Sequence, residues 1–175
     1  MVLQSTLGDS ALQFGWSAVL TAPADFDGDG LTDIAVYHPA GNAWYVRYSS
    51  TQVTWQKSGM GKAGSVPVPG DYDGDGLADW AAFHRPSATW SIYNTGAGTL
   101  QSFQFGWSAV VPVPADYDGD GRMDIVVYHP ASGKWYINDS STGQTREQAH
   151  GWSQAVPVPA DYDGDGKADI AVFHR

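Results

Sequence analysis

A nine-residue stretch with aspartate at positions one, three, five and nine and glycine at four and six occurs four times, and it constrains the fold more than any other feature. The copies cover residues 25–33 (DFDGDGLTD), 71–79 (DYDGDGLAD), 116–124 (DYDGDGRMD) and 161–169 (DYDGDGKAD), so their starts lie 46, 45 and 45 residues apart. Alternate carboxylates on a tightly curled segment aim at one point, and the glycines supply the positive φ that the curl demands. The pattern suits a hard cation that takes six to eight oxygens at roughly 2.3–2.6 Å, for which calcium is the natural candidate. Without a cation, each close carboxylate pair repels by about 1–4 kcal/mol, depending on the effective dielectric.

The expected ligands are Asp25, Asp27, Asp29 and Asp33 in the first loop and Asp71, Asp73, Asp75 and Asp79 in the second. Asp116, Asp118, Asp120 and Asp124 serve the third, and Asp161, Asp163, Asp165 and Asp169 the fourth. Position seven is expected to add its main-chain carbonyl, as in an EF-hand, leaving its side chain free. It is Leu31, Leu77, Arg122 or Lys167, which share only a backbone. Four calcium ions per chain follow. An Asp-Gly hairpin turn needs one such dipeptide and not four aspartates. An EF-hand would place a bidentate Glu at position twelve, where this chain has Val36, Ala82, Val127 or Val172.

The net charge of −10 is concentrated in these loops, since only Asp9, Asp139 and Glu147 of the 19 acidic residues lie elsewhere. Four calcium ions add +8 and bring the total of −10 to −2. No basic patch offers a nucleic-acid footprint. Without cysteine there are neither disulfides nor thiolate metal sites. No run of about 18 apolar residues spans a membrane, and the segment from Met1 to Ser5 does not read as a signal peptide. Loops of this kind work where calcium is millimolar, so the expected location is extracellular or the cell surface.

A period near 45 residues indicates a repeat architecture. In the third repeat, Phe105 to Ala115 leads into the loop. Ile125 to His129, Lys134 to Ile137 and a segment near Thr145 to His150 follow, separated by turn-forming residues. Four short strand-like runs per repeat predict a four-stranded antiparallel meander, with strands A to D and the loop between A and B. Prolines at 23, 67, 69, 112, 114, 157 and 159 suit a short strand A, because proline cannot donate to a ladder. No segment shows a helical period with caps. The expected fold is all-β: a single β-propeller domain over residues 1–175, with four repeats and four-stranded blades. Arg175 follows strand B of the fourth repeat, and Val2 to Thr6, a turn at Leu7 to Asp9 and Ser10 to Phe14 read as a hairpin. The N-terminal strands are therefore expected to complete the last blade, giving a monomeric four-bladed ring or a homodimer with eight blades.

Phe14-Gly15, Phe105-Gly106, the Val-Pro-Val-Pro lead-in and the four DxDGDGxxD loops resemble the FG-GAP or VCBS-type calcium-binding repeat of integrin α-subunit propellers and bacterial surface proteins. The resemblance covers essentially the whole chain. It implies a propeller with calcium in the A–B loop of each blade, in adhesion, lectin or enzyme-appended roles. The second repeat departs with Met60-Gly61-Lys62, and the fourth has His150-Gly151-Trp152.

Trp16, Trp107 and Trp152 share one repeat position, and His38, His84, His129 and His174 share another at the end of strand B. As a ligand set, the indoles would stack on sugar faces while the imidazoles bond hydroxyls. The plainer expectation is interblade packing for the tryptophans and a hydrogen-bonded structural role for the histidines. Trp44, Trp90 and Trp135 are expected in the core. Nearly every polar residue of interest is repeated, whereas catalysis needs a unique constellation, so an enzyme is not expected. The leading expectation is an extracellular recognition or adhesion module, carbohydrate being the first partner to test. The alternative is a purely structural scaffold within a larger secreted protein or appended to an enzyme.

Overall fold

The apolar runs that follow the Asp loops become the central strands of the molecule. The structure is a computed structural model that describes residues 2–3 and 11–174. Its first strands are β1 (Val2–Leu3), β2 (Ala11–Leu12), β3 (Leu20–Thr21), β4 (Ile34–His38), β5 (Ala43–Arg47) and β6 (Thr54–Ser58). Next come β7 (Val66–Pro67), β8 (Trp80–His84), β9 (Thr89–Asn94) and β10 (Thr99–Gln104). The remainder are β11 (Val111–Pro112), β12 (Ile125–His129), β13 (Lys134–Asn138), β14 (Thr145–Ala149), β15 (Ala155–Pro157) and β16 (Val172–His174). One turn of 3-10 helix, Arg85–Ser87, follows β8.

Three sheets are four-stranded antiparallel meanders, β3-β4-β5-β6, β7-β8-β9-β10 and β11-β12-β13-β14, one for each of the first three repeats. Their first strands hold two residues each, as proline-rich lead-ins require. β3 and β7 approach one another across neighbouring sheets. Strands β4, β8 and β12 are central in their sheets and are buried along their middles.

Register places Tyr37 opposite Trp44, Phe83 opposite Trp90 and Tyr128 opposite Trp135. Their ring centroids are 5.2, 5.1 and 5.1 Å apart, within the range of favourable aromatic pairs, and all six side chains are fully buried. The core runs between sheets as well as within them. Phe26 and Trp44 of the first repeat join Trp80 and Ala82 of the second. Phe83 and Trp90 meet Val110 and Val127 of the third. Tyr117 and Trp135 meet Ile170 and Val172 of the fourth. No sheet is covered by its own residues alone, which is why the unit repeats.

The two ends carry short ladders. β1–β2 and β15–β16 are two separate antiparallel ladders, and among the described residues no pairing joins them into a composite blade. β1 pairs with β2 over two residues, and among the described residues its other edge is not laddered to β16. Phe173 is accordingly 58% exposed, where Tyr37, Phe83 and Tyr128 are at 0%. The expected turn at Leu7 to Asp9 lies outside the described residues.

Candidate metal centres

Each Asp loop is a knot of carboxylate-to-amide hydrogen bonds. The position-one carboxylate accepts from the amide of the position-four glycine at 2.6–2.7 Å in all four loops, for example Gly28 to Asp25 and Gly74 to Asp71. Its other oxygen accepts from the position-six glycine at 2.8–3.0 Å. Both glycines have φ between +76° and +87° in every copy, the region that a side chain penalises. Position five accepts from the amide of position seven at 2.8–2.9 Å.

Position nine closes the loop from its far side. Its amide donates to the carbonyl of the residue before the loop, as Asp79 does to Gly70 at 2.8 Å. One oxygen of Asp79 accepts from the Tyr72 amide at 2.9 Å and the other from the Thr95 amide at 2.8 Å. Asp33 is held in the same way by Phe26 and Ser49, and Asp124 by Tyr117 and Ser140. The sequence reading did not single out Ser49, Thr95 and Ser140, yet they recur at intervals of 46 and 45 residues, the period of the loops themselves. Ser49 and Ser140 also donate their hydroxyls to Asp29 and Asp120.

The structure brings together the carboxylates of Asp71, Asp73 and Asp79, of Asp116, Asp118 and Asp124, and of Asp161, Asp163 and Asp169. In the first loop the set is Asp25, Asp27 and Asp29, without Asp33. Within each set the nearest oxygens all lie within 4.8 Å of one another. Two oxygens bound to one calcium at roughly 2.3–2.6 Å can be at most about 5 Å apart, so the donors fit that ion in both type and span. Asp75, Asp120 and Asp165 fall outside these sets, and Asp120 is turned toward Arg122, whose Nη2 is 2.6 Å away. The carbonyls of Leu31, Leu77, Arg122 and Lys167 complete the expected ligands. A bound calcium would neutralise the carboxylates and pin strand A to strand B.

The position-seven side chain, expected to be free, has a structural role. A Cβ at Gly28 would meet Leu77 Cδ2 at 2.6 Å, one at Gly74 would meet Arg122 Cγ at 3.0 Å, and one at Gly119 would meet Lys167 Cε at 2.9 Å. Position seven of each later loop thus lies over the glycine of the loop before it. The next amide completes the link: Ala78 donates to the Asp25 carbonyl, Met123 to Asp71 and Ala168 to Asp116, each at 2.7 Å. The loops form one connected row. Leu31, in the first loop, is 62% exposed.

Burial pushes the Asp79 carboxyl up to about 6, opposed by the Thr95 and Tyr72 amides and reinforced by Asp73 and Asp75. Burial also raises Asp33 and Asp124. With its folded value above the unfolded 3.8, Asp79 contributes stability below about pH 4 that is lost as the pH rises through about 6. Metal-depleted protein is therefore expected to lose stability between about pH 4 and 6. Urea unfolding midpoints across that range check it, and a midpoint that rises with pH refutes it.

The second set of candidate residues lies at the other end of strand B. Trp16 meets His38 edge-on at 5.4 Å and Tyr45 at 5.1 Å, and Trp107 meets His129 and Tyr136 at 5.1 Å each. Trp152 lies 5.8 Å from His174. These tryptophans are 47%, 37% and 49% exposed, so they occupy an open rim and not the packed interblade position expected. Among the described residues His84 has no indole neighbour; its Nδ1 bonds the Ser87 hydroxyl at 2.7 Å, and Lys62 reaches the same hydroxyl at 3.0 Å. His129 bonds Ser132 similarly. Trp44, Trp90 and Trp135 are fully buried.

Successive antiparallel sheets, each fastened by an Asp-rich loop between its first two strands, define a β-repeat module built around candidate cation sites. The profile of the FG-GAP-like repeat matches residues 25–82, 71–127 and 116–172, each match running from one loop into strand B of the next repeat. The chain belongs to the FG-GAP-like repeat family, which supports a β-propeller-like arrangement of its sheets. No curated protein and no solved structure is significantly similar to it.

Proposed function

We propose that the chain is a calcium-stabilised recognition module of an extracellular or cell-surface protein, with a glycan as ligand. The loops are its fasteners, their carboxylates fitting calcium in type and span. The observation that carries the recognition reading is the rim: Trp16 and Trp107 each stand half-exposed beside a histidine and a tyrosine. An indole face takes the apolar side of a sugar ring while the imidazole and phenol bond hydroxyls. The module is a β-propeller sector with unpaired ends at β1–β2 and β16, closed within one chain or by a second. No catalytic step belongs to this reading, since the rim residues are repeated and not unique.

Glycan-array screening tests it. Calcium-dependent binding is expected, falling at least roughly tenfold in Trp107→Ala, with the melting temperature of that variant unchanged. A blank array supports the other reading, a scaffold without a ligand, which is favoured by Lys62 and the Ser87-bonded His84 in the second repeat.

A further inference from the structure

Between each pair of neighbouring sheets the structure has a cleft built from the same repeat positions; the second and third also take in Asp-loop residues, among them Arg122 and Met123 in one and Asp165, Lys167 and Asp169 in the other, whereas the first takes in none. Gln101, Phe103, Ile125, Asn138 and Ser140 line the cleft between the second and third sheets. Arg146, Gln148 and Ile170 line the next one. The first cleft, between β6 and the second sheet, has a volume of about 390 Å³ and is lined by Tyr48, Trp55, Gln56, Lys57, Trp80, Tyr93 and Thr95. Strand register makes Trp55 the counterpart of Gln101 and Arg146, and Tyr93 the counterpart of Asn138. Trp80 stands where the other three repeats have Ile34, Ile125 and Ile170. Only the first of these three clefts is walled by four aromatic rings.

We propose that this cleft is a binding site for a neutral pyranose, taken by its apolar face. The proposal rests on reading the chain as a recognition module, but not on the tryptophan and histidine rim. Packing does not call for the extra rings, because isoleucine at the Trp80 position serves the other sheet interfaces. Trp80 is 5% exposed, and its indole N–H has no acceptor, an unfavourable burial that isoleucine avoids. The rings meet at angles and do not stack flat: Tyr48 and Trp55 are 6.3 Å apart and Trp80 and Tyr93 6.2 Å. Trp55 at the mouth is 54% exposed. Lys57 Nζ sits 3.6 Å from the centroid of the Tyr93 ring.

Aromatic faces beside free polar groups are the chemistry that recognises a sugar ring: its C–H face covers the rings and its hydroxyls meet the polar edges. Lys57 and the phenol hydroxyls of Tyr48 and Tyr93 have no hydrogen-bond partner among the described residues and remain to serve a ligand. The lining holds no acidic side chain, and its one cation, Lys57, already lies over the Tyr93 ring, so recognition falls to rings and hydroxyls, which suits a neutral ligand. The volume lies near the low end of small-molecule pockets, about 300–1,000 Å³, enough for one or two sugar rings.

The test uses calcium-loaded protein with nitrogen-labelled tryptophans. It is titrated with neutral mono- and disaccharides of glucose, galactose, mannose, fucose and N-acetylglucosamine while the indole N–H resonances are followed. Saturable shifts of Trp55 and Trp80 are expected with at least one sugar. The triple variant Trp55→Gln, Trp80→Ile, Tyr93→Asn gives the first cleft the residues of the second at these three positions, side chains that this fold already packs there. Titration calorimetry reads this variant, which lacks both reporter indoles: the sugar should bind roughly tenfold or more weakly with calcium binding and melting temperature preserved, and Trp107→Ala should leave the binding intact. Absence of any saturable shift, or a calorimetric affinity that survives the triple variant, would overturn the proposal. Loss of these shifts in Trp107→Ala would also overturn it and return the binding to the rim.

Discussion

Removing calcium with EGTA is expected to lower the melting temperature of the chain by roughly 10–20 °C. A ligand that binds only the folded state stabilises by RT ln(1 + [L]/Kd). With Kd of about 10⁻⁴–10⁻³ M, the range of extracellular modules, and about 2 mM calcium, each site contributes about 0.6–1.8 kcal/mol. Four sites give about 3–7 kcal/mol, and each kcal/mol moves the midpoint by about 2–4 °C in a chain of this size. The mechanism is charge as much as linkage, since sixteen of the nineteen acidic residues sit in the loops and repel one another when no cation is present. Calorimetry with and without EGTA checks the expectation, and an unchanged midpoint would remove calcium from the account of this fold.

Within one loop the aspartates are expected to differ sharply. Asp79 is fully buried and holds the amides of Tyr72 and Thr95. Truncating it to alanine leaves two part-buried donors without their acceptors, at about 1–3 kcal/mol each, in addition to the lost metal site. In calcium, Asp79→Ala should therefore cost about 3–6 kcal/mol of unfolding free energy. Asp75→Ala should cost about 1–2 kcal/mol, because Asp75 bonds only the exposed Leu77 amide and loses little beyond the ion. Asp79→Asn, which keeps an acceptor, should fall between them. Denaturant titrations of the three variants decide the order, and equal losses would reduce Asp79 to a metal ligand without a structural share.

The loops also show where reading the sequence reached its limit. Carboxylate spacing identified the convergent oxygens because a ligand set within nine residues is a local property. The link from Ala78 to the Asp25 carbonyl and the placement of Leu77 over Gly28 join residues about fifty positions apart. Nothing in either loop alone announces them. Arg122 and Lys167 take the same place on Gly74 and Gly119 despite sharing no side-chain chemistry with leucine. The constraint there is the small size of the glycine opposite. Ser49, Thr95 and Ser140 were visible as a period but carried no chemical signature, since a backbone amide that bonds a distant carboxylate leaves no mark on residue type.

What the sequence determined by itself was the repeat, the strand order within each unit, the core tryptophans and the four Asp-rich loops. All of these rest on turn chemistry, alternation and charge spacing within about 45 residues. What only the tertiary structure decided was how units meet. It placed Trp16 and Trp107 on an open rim, gathered Tyr48, Trp55, Trp80 and Tyr93 into one cleft, and left β1–β2 apart from β15–β16. The physical reason is that a sheet cannot bury its own faces: the partner that covers each one comes from another repeat, and which side chains then remain exposed depends on packing between units that no single repeat encodes.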